Sequence, residues 1–231
     1  MPFLFYDVPS LLILLPALIL SLYAQYKVQS TFNHFIRVAN YGGYTGAEVA
    51  RRILDSQGLT DVAVDMVRGY LTDHYDPRKK VLRLSEPVYN GSSIASIGVA
   101  AHEAGHAIQH ARGYIPLSIR NAIVPIASFA SQAAFLFIFL GLFMGANTVL
   151  MDIGIYLFLA VVAFQLITLP VEYNASSRAV ELLRGHGFVA ANEERKVREV
   201  LNAAALTYVA AAASAVAQLF RLMMLRDRSR D

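Results

Sequence analysis

VAAHEAGHAIQHA, residues 99–111, is the stretch from which the rest of the chain can be read. Asn90-Gly91-Ser92-Ser93 before it and Gly113 after it bound a predicted helix over about 93–112. On a helix, residues four apart stand roughly 40° apart around the axis and about 6 Å along it. His102 and His106 therefore project from one face. Two imidazoles so placed can bind one Zn²⁺ at about 2.0–2.1 Å each. Glu103 falls beside such an ion, where its carboxylate can take a proton from a water and pass it to a leaving amine. This is the pattern of a metalloprotease helix. The plainer alternative, a helix with two exposed histidines, sits poorly with the flanks. Ile94, Ile97, Val99, Ala100, Ala101, Ala104, Ala107 and Ile108 make most other positions apolar. Charged and imidazole groups in such a helix are costly unless paired or ligated.

A catalytic zinc takes a third protein ligand and keeps one position open. The chain has no cysteine, so that ligand is a histidine or a carboxylate. His110 lies one turn past His106, but a helix cannot bend three successive turns onto one tetrahedral ion, which leaves it a minor role. Asp152 lies in or next to an apolar run. Glu172 follows the third apolar run at once, and two runs separate it from His106, so a chain that crosses a bilayer twice returns it to the same side. It is expected to begin a helical segment, 171–184, with Ala175, Ala179 and Leu182 available for packing. The alternative for Glu172 is an acid favoured at a solvated helix N-terminus.

Working outward, the chain is 231 residues long, 56% apolar and only 16% charged, against about 25% charged in an average soluble protein. Runs at 8–26, 122–146 and 149–170 are long enough to span a bilayer, which takes about 20 helical residues. Pro16 marks a possible kink in the first. An Ala-rich run at 203–225, broken by Gln218 and Arg221, is a weaker fourth candidate that either spans or packs as a buried helix. The start of the chain lacks the basic segment of a signal peptide and carries Asp7, which reads as a retained anchor. A net charge of +3 with no aromatic–basic clusters excludes a nucleic-acid footprint.

More than half of the Lys and Arg lie in 27–121, most of the rest in 171–200, and none between the second and third runs. The positive-inside rule places both charged segments in the cytoplasm and the N-terminus outside. A crossing by the fourth run would put Arg226, Arg228 and Arg230 outside, against that rule. Within 27–121, Thr45 with Glu48 has the capping-box spacing for a helix over 45–57, stopped by Gly58. Residues 61–68 and 79–84 alternate as strands, with a turn at Asp76-Pro77. The expected architecture is a mainly α membrane protein of three to four transmembrane helices with a small α+β catalytic domain. Its parts are an anchor at 1–26, a cytoplasmic catalytic region at 27–121, two membrane helices at 122–170, a ligand-bearing helix at 171–200, and the Ala-rich helix with its basic tail at 201–231.

DHYDPRKKVLRLSEPVYNGSSIASIGVAAHEAGHAIQHA, 73–111, and LPVEYNASSRA, 169–179, resemble the YugP-type membrane zinc metallopeptidases and, more distantly, the HtpX group. The resemblance runs over most of the chain. It implies a gluzincin-type zincin fold, a bound Zn²⁺ and peptide hydrolysis, with Glu172 and Ala175 matching the Glu-x-x-Ala-Asp helix of the HtpX group. Ser176 stands where that group has Asp, so the Asp that supports the zinc ligands in that group is not present here. In zincins a strand near the active helix often pairs with extended substrate, and 79–84 is a candidate, as it is for an ordinary sheet strand. Arg178, expected to pair with an acid, and Tyr173, His74 and His186 are poor candidates for an oxyanion donor.

Metal ligands His102, His106 and Glu172, Glu103 as general base, a polypeptide substrate in or near the bilayer and a site on the cytoplasmic face of a bacterial-type plasma membrane form the expected whole. Partner proteins and oligomeric state are not legible in the sequence. Two readings compete with it. One is a site-2-type intramembrane protease with Asp152 as third ligand. The other is a catalytically silent membrane adaptor.

Overall fold

The computed structural model describes residues 8–144 and 147–228, with side chains from Leu12 on. Asp7, the 145–146 end of the second run and Arg230 lie outside the described residues. The elements are α1 (Val8–Phe35), α2 (Gly46–Ser56), β1 (Ala63–Val67), β2 (His74–Asp76), β3 (Val81–Ser85), α3 (Glu86–Tyr89), α4 (Ile94–Ala111), α5 (Ile115–Phe143), α6 (Thr148–Gly185) and α7 (Ala191–Arg228). The protein is thus mainly helical with one small sheet.

The chain divides into two units, one of which comprises Tyr26–Ser118 with Pro170–Leu206. In this unit α2 begins with the expected reciprocal cap: Thr45 Oγ1 accepts from the Glu48 N–H, and the Glu48 carboxylate accepts from the Thr45 N–H. Such a cap contributes about 1 kcal/mol. The amphipathic α2 buries Val49, Ala50, Ile53 and Leu54 in a core shared with Leu82 and Leu84 of β3, Ile97 and Ile108 of α4, and Leu183 of α6.

The sheet differs from a simple hairpin of 61–68 with 79–84. β1 pairs with β3 in parallel, and the three-residue β2 pairs with β3 antiparallel, giving the order β1-β3-β2. The Asp76-Pro77 turn therefore joins β2 to β3. A strand of three residues is too short to show alternation, which is why it left no periodic signal. The central β3 has neighbours on both edges, so 79–84 cannot be the strand that accepts an extended substrate.

The other unit takes the chain up to Gln25, Ile119–Leu169 and the chain from Thr207 on. α5, α6 and α7 meet through Ala134, Ile138, Ile155, Phe158, Val162, Ala215 and Leu222. A Cβ on Gly154 would stand 2.8 Å from the Ala134 carbonyl oxygen, so small residues let these helices close up. Ser21 and Ser214 hydroxyls bond at 3.1 Å between α1 and α7. Outward-facing Leu15, Phe129, Phe135, Phe139, Tyr156 and Leu166 are exposed. Apolar surface of this kind, on four helices long and apolar enough to cross a membrane, fits lipid and not water.

The long helices outrun the apolar segments that announce them. α7 starts at Ala191, so the polar residues before 203 belong to the same helix as the Ala-rich run. Likewise, Glu172 does not begin a helix; α6 continues unbroken from Thr148 through Pro170 to Gly185. Pro170 lies inside this helix, and an interior proline is tolerated in a membrane helix where neighbours satisfy the backbone.

Candidate metal centre

α4 supplies two thirds of the site. Its N-cap Ser93 accepts from the Ser96 N–H, and Gly113 ends the following turn at φ +62°. Ile94 N–H donates to the Val38 carbonyl, and Asn40 N–H to the Ser92 carbonyl, which ties the start of α4 to the chain leaving α1. Ile97, Ala100, Ala101, Ala104 and Ile108 are buried, so α4 is an interior helix. Its His102 and His106 rings stand edge to face, with centroids 4.7 Å apart.

α6 supplies the rest. Ala175 lies against Gly105 of α4, where an added Cβ would come within 2.9 Å of the Ala175 carbonyl oxygen. This contact between small residues brings Glu172, one turn earlier on α6, over the histidines. Glu172 Oε2 is 3.3 Å from His102 Nε2 and 3.5 Å from His106 Nε2, and its side chain is 2% exposed. Two donors on one tetrahedral zinc at about 2.0–2.1 Å stand ~3.3–3.4 Å apart. The three residues therefore fit such an ion in donor type and spacing. They form a metal-capable group that includes neither Asp152 nor His110.

Hydrogen bonds fix the far side of each imidazole. His102 Nδ1 meets the Ser176 hydroxyl at 3.1 Å. His106 Nδ1 meets Gln109 Oε1 at 3.0 Å. Burial works against the His106 imidazolium, but the bond to Glu172 and the charges of Glu103 and Glu172 raise its pKa above the usual histidine value. Glu103 is itself almost buried, at 9% exposure. Burial, joined by the charge of Glu103, also raises the pKa of the nearby Asp73 carboxyl, although hydrogen bonds from Ser85 oppose this. Ser85 donates to Asp73 Oδ1 from its N–H at 2.7 Å and from its hydroxyl at 3.0 Å.

The remaining candidates fall elsewhere. Asp152, near the start of α6, accepts from Arg226 Nε at 2.6 Å. His110 is exposed and bonds Tyr75 of β2 at 3.0 Å. Arg178 donates to Asn174 Oδ1 at 2.7 Å and not to an acid as expected. His186 bonds the Leu182 carbonyl, His74 the Thr72 carbonyl, and Tyr173 is half exposed. Sequence reasoning did not single out Gln109, Asn174 or Asp73. Gln109 was findable, since three residues past His106 is the same helix face; the other two depend on tertiary approach.

A His-x-x-x-His pair on one helix, closed by a buried carboxylate from a second, is a group that could hold a metal ion, of the kind the zinc-peptidase class uses, here in a chain with membrane-length helices. The chain belongs to the family described as "Putative neutral zinc metallopeptidase", which matches residues 10–227. It is 54% identical over 215 residues to the "Putative membrane protease YugP" of Bacillus subtilis (strain 168), covering 93% of this chain and 95% of that protein. No solved structure matches it significantly.

Proposed function

We propose that this protein is a membrane-bound zinc endopeptidase that cleaves polypeptides in or beside the bilayer, from the cytoplasmic face of a plasma membrane. The observation that carries the reading is the convergence of His102 Nε2, His106 Nε2 and Glu172 Oε2 at 3.3 and 3.5 Å. These atoms would hold zinc. When bound, zinc supplies a Lewis acid that polarises the scissile carbonyl and acidifies a water. Glu103 takes the proton of the attacking water and returns it to the departing nitrogen. Its low exposure supports this role, because proton transfer away from bulk water is more directed. The Asp73 carboxyl, held by Ser85, lies within electrostatic reach of Glu103.

Substrate docking shifts from β3 to β2. The outer edge of β2 has no strand partner among the described residues, and its Tyr75 reaches α4 at His110. An extended peptide added there would gain main-chain hydrogen bonds with little sequence specificity. The family and the name of the relative support the protease reading, and the distribution of Lys and Arg supports the cytoplasmic side. The intramembrane alternative loses support because the Asp152 carboxylate is engaged by Arg226.

The test is cleavage of an unfolded casein-type substrate by purified protein in detergent, with Glu103→Gln as the comparison. Wild-type cleavage that is lost in Glu103→Gln, with zinc content unchanged, is expected. Zinc bound by wild type without any cleavage would favour the silent adaptor.

A further inference from the structure

The bond from Gln109 to His106 is one link of a longer chain. Gln109 is fully buried, and its Nε2 donates to the Val171 carbonyl at 2.8 Å and to Asn174 Oδ1 at 3.0 Å. Asn174 Oδ1 in turn accepts from Arg178 Nε at 2.7 Å. Polarity runs one way along these contacts. A guanidinium only donates, so the Asn174 atom facing Arg178 is its oxygen. That oxygen and the Val171 carbonyl only accept, so the Gln109 group facing them is its NH₂. Its oxygen is thereby turned to His106, which must present Nδ1–H. In the neutral ring the lone pair is then on Nε2, the atom 3.5 Å from Glu172 Oε2.

We infer that Gln109, set by Asn174 and Arg178, is a positioning residue that locks His106 into the metal-binding tautomer and ties its ring to the segment of α6 that carries Glu172. One amide thus does two things. It fixes which imidazole nitrogen is free, and through the Val171 carbonyl it grips the residue next to Glu172. The relay takes the place of the carboxylate that often orients a zinc-bound histidine. It adds no buried charge next to Glu103 and Glu172.

This inference rests on the zinc reading above, so the test has one arm that needs no metal. Zinc affinity is measured by chelator competition in detergent for wild type, Gln109→Met, Asn174→Leu and Asn174→Asp. The histidine tautomers of the metal-free proteins are read by ¹⁵N NMR. In wild type, the neutral His106 ring, read at alkaline pH, is expected to be a single Nδ1–H tautomer. Gln109→Met is expected to mix the tautomers and to weaken zinc about 10–100-fold. Asn174→Leu removes one of the two acceptors that hold the amide and is expected to weaken zinc by a smaller factor. Asn174→Asp keeps both acceptor functions and is expected to restore affinity towards wild type, which a purely space-filling residue would not do. Should Gln109→Met fail to fold, the Asn174 pair decides. Unchanged zinc affinity in both Gln109→Met and Asn174→Leu would overturn the relay while leaving the zinc reading intact. Wild type that takes up no zinc, but shows a single His106 tautomer lost in Gln109→Met, would overturn the zinc reading and leave the relay.

Discussion

At Asp73 a half-buried carboxyl accepts hydrogen bonds from Ser85 and faces the charge of Glu103. Its pKa is raised, so the folded protein holds the proton more tightly than the unfolded chain, where the value is about 3.9. Ionised Asp73 therefore costs stability; the cost is absent below the unfolded pKa and complete above the folded one. Asp73→Asn is expected to raise Tm at pH 7, with the gain vanishing as pH falls below the unfolded value. Thermal melts at a series of pH values check this. Asp73→Ala is expected to lower Tm instead, because the fully buried Ser85 would lose its acceptor. The same scale shows which parts of the site the sequence carries. His102, Glu103 and His106 are legible because one helix turn fixes their relation, whereas Asp73 and Asn174 take their roles from segments that meet only in the folded chain.

Between elements, the decisive approach is α4 against α6 at Gly105 and Ala175. Gly105→Ala would place a methyl 2.9 Å from the Ala175 carbonyl oxygen, and helix backbone yields little. The helices must part, at a cost of about 1–3 kcal/mol for an overpacked interior. Glu172 would move away from the histidines, so zinc affinity and Tm are both expected to fall. Zinc titration beside a thermal melt measures the pair, and a Gly105→Ala protein with wild-type affinity would show that this contact does not set the site. The cap on α2 and the extent of α4 were readable because caps and glycine stops are local signals. The continuity of α6 through Pro170 was not, since a proline breaks a helix only where its neighbours leave the backbone unsatisfied. Nor was the β1-β3-β2 order, because alternation marks a strand without naming its partner.

For the whole molecule, the described residues hold four helices long and apolar enough to cross a membrane, and a chain in which all four cross has both ends on one side. Arg226 on α7 pairs with Asp152 near the start of α6 and with Asp227. With the N-terminus outside, residue 79 is expected in the cytoplasm and residue 147 outside. The protein has no cysteine of its own, so single cysteines report this cleanly. Asn147→Cys in intact cells should react with a membrane-impermeant maleimide, and Lys79→Cys only after permeabilisation; the reverse pattern would invert the topology. The central claim is that the two histidines of α4 and the carboxylate of α6 hold one zinc ion. Its most direct test is zinc content per chain of protein purified in detergent, for wild type, Glu172→Ala and Asp152→Ala. One zinc in wild type and in Asp152→Ala, lost in Glu172→Ala, is the predicted result. Zinc kept by Glu172→Ala and lost by Asp152→Ala would contradict it and return the protein to the intramembrane reading.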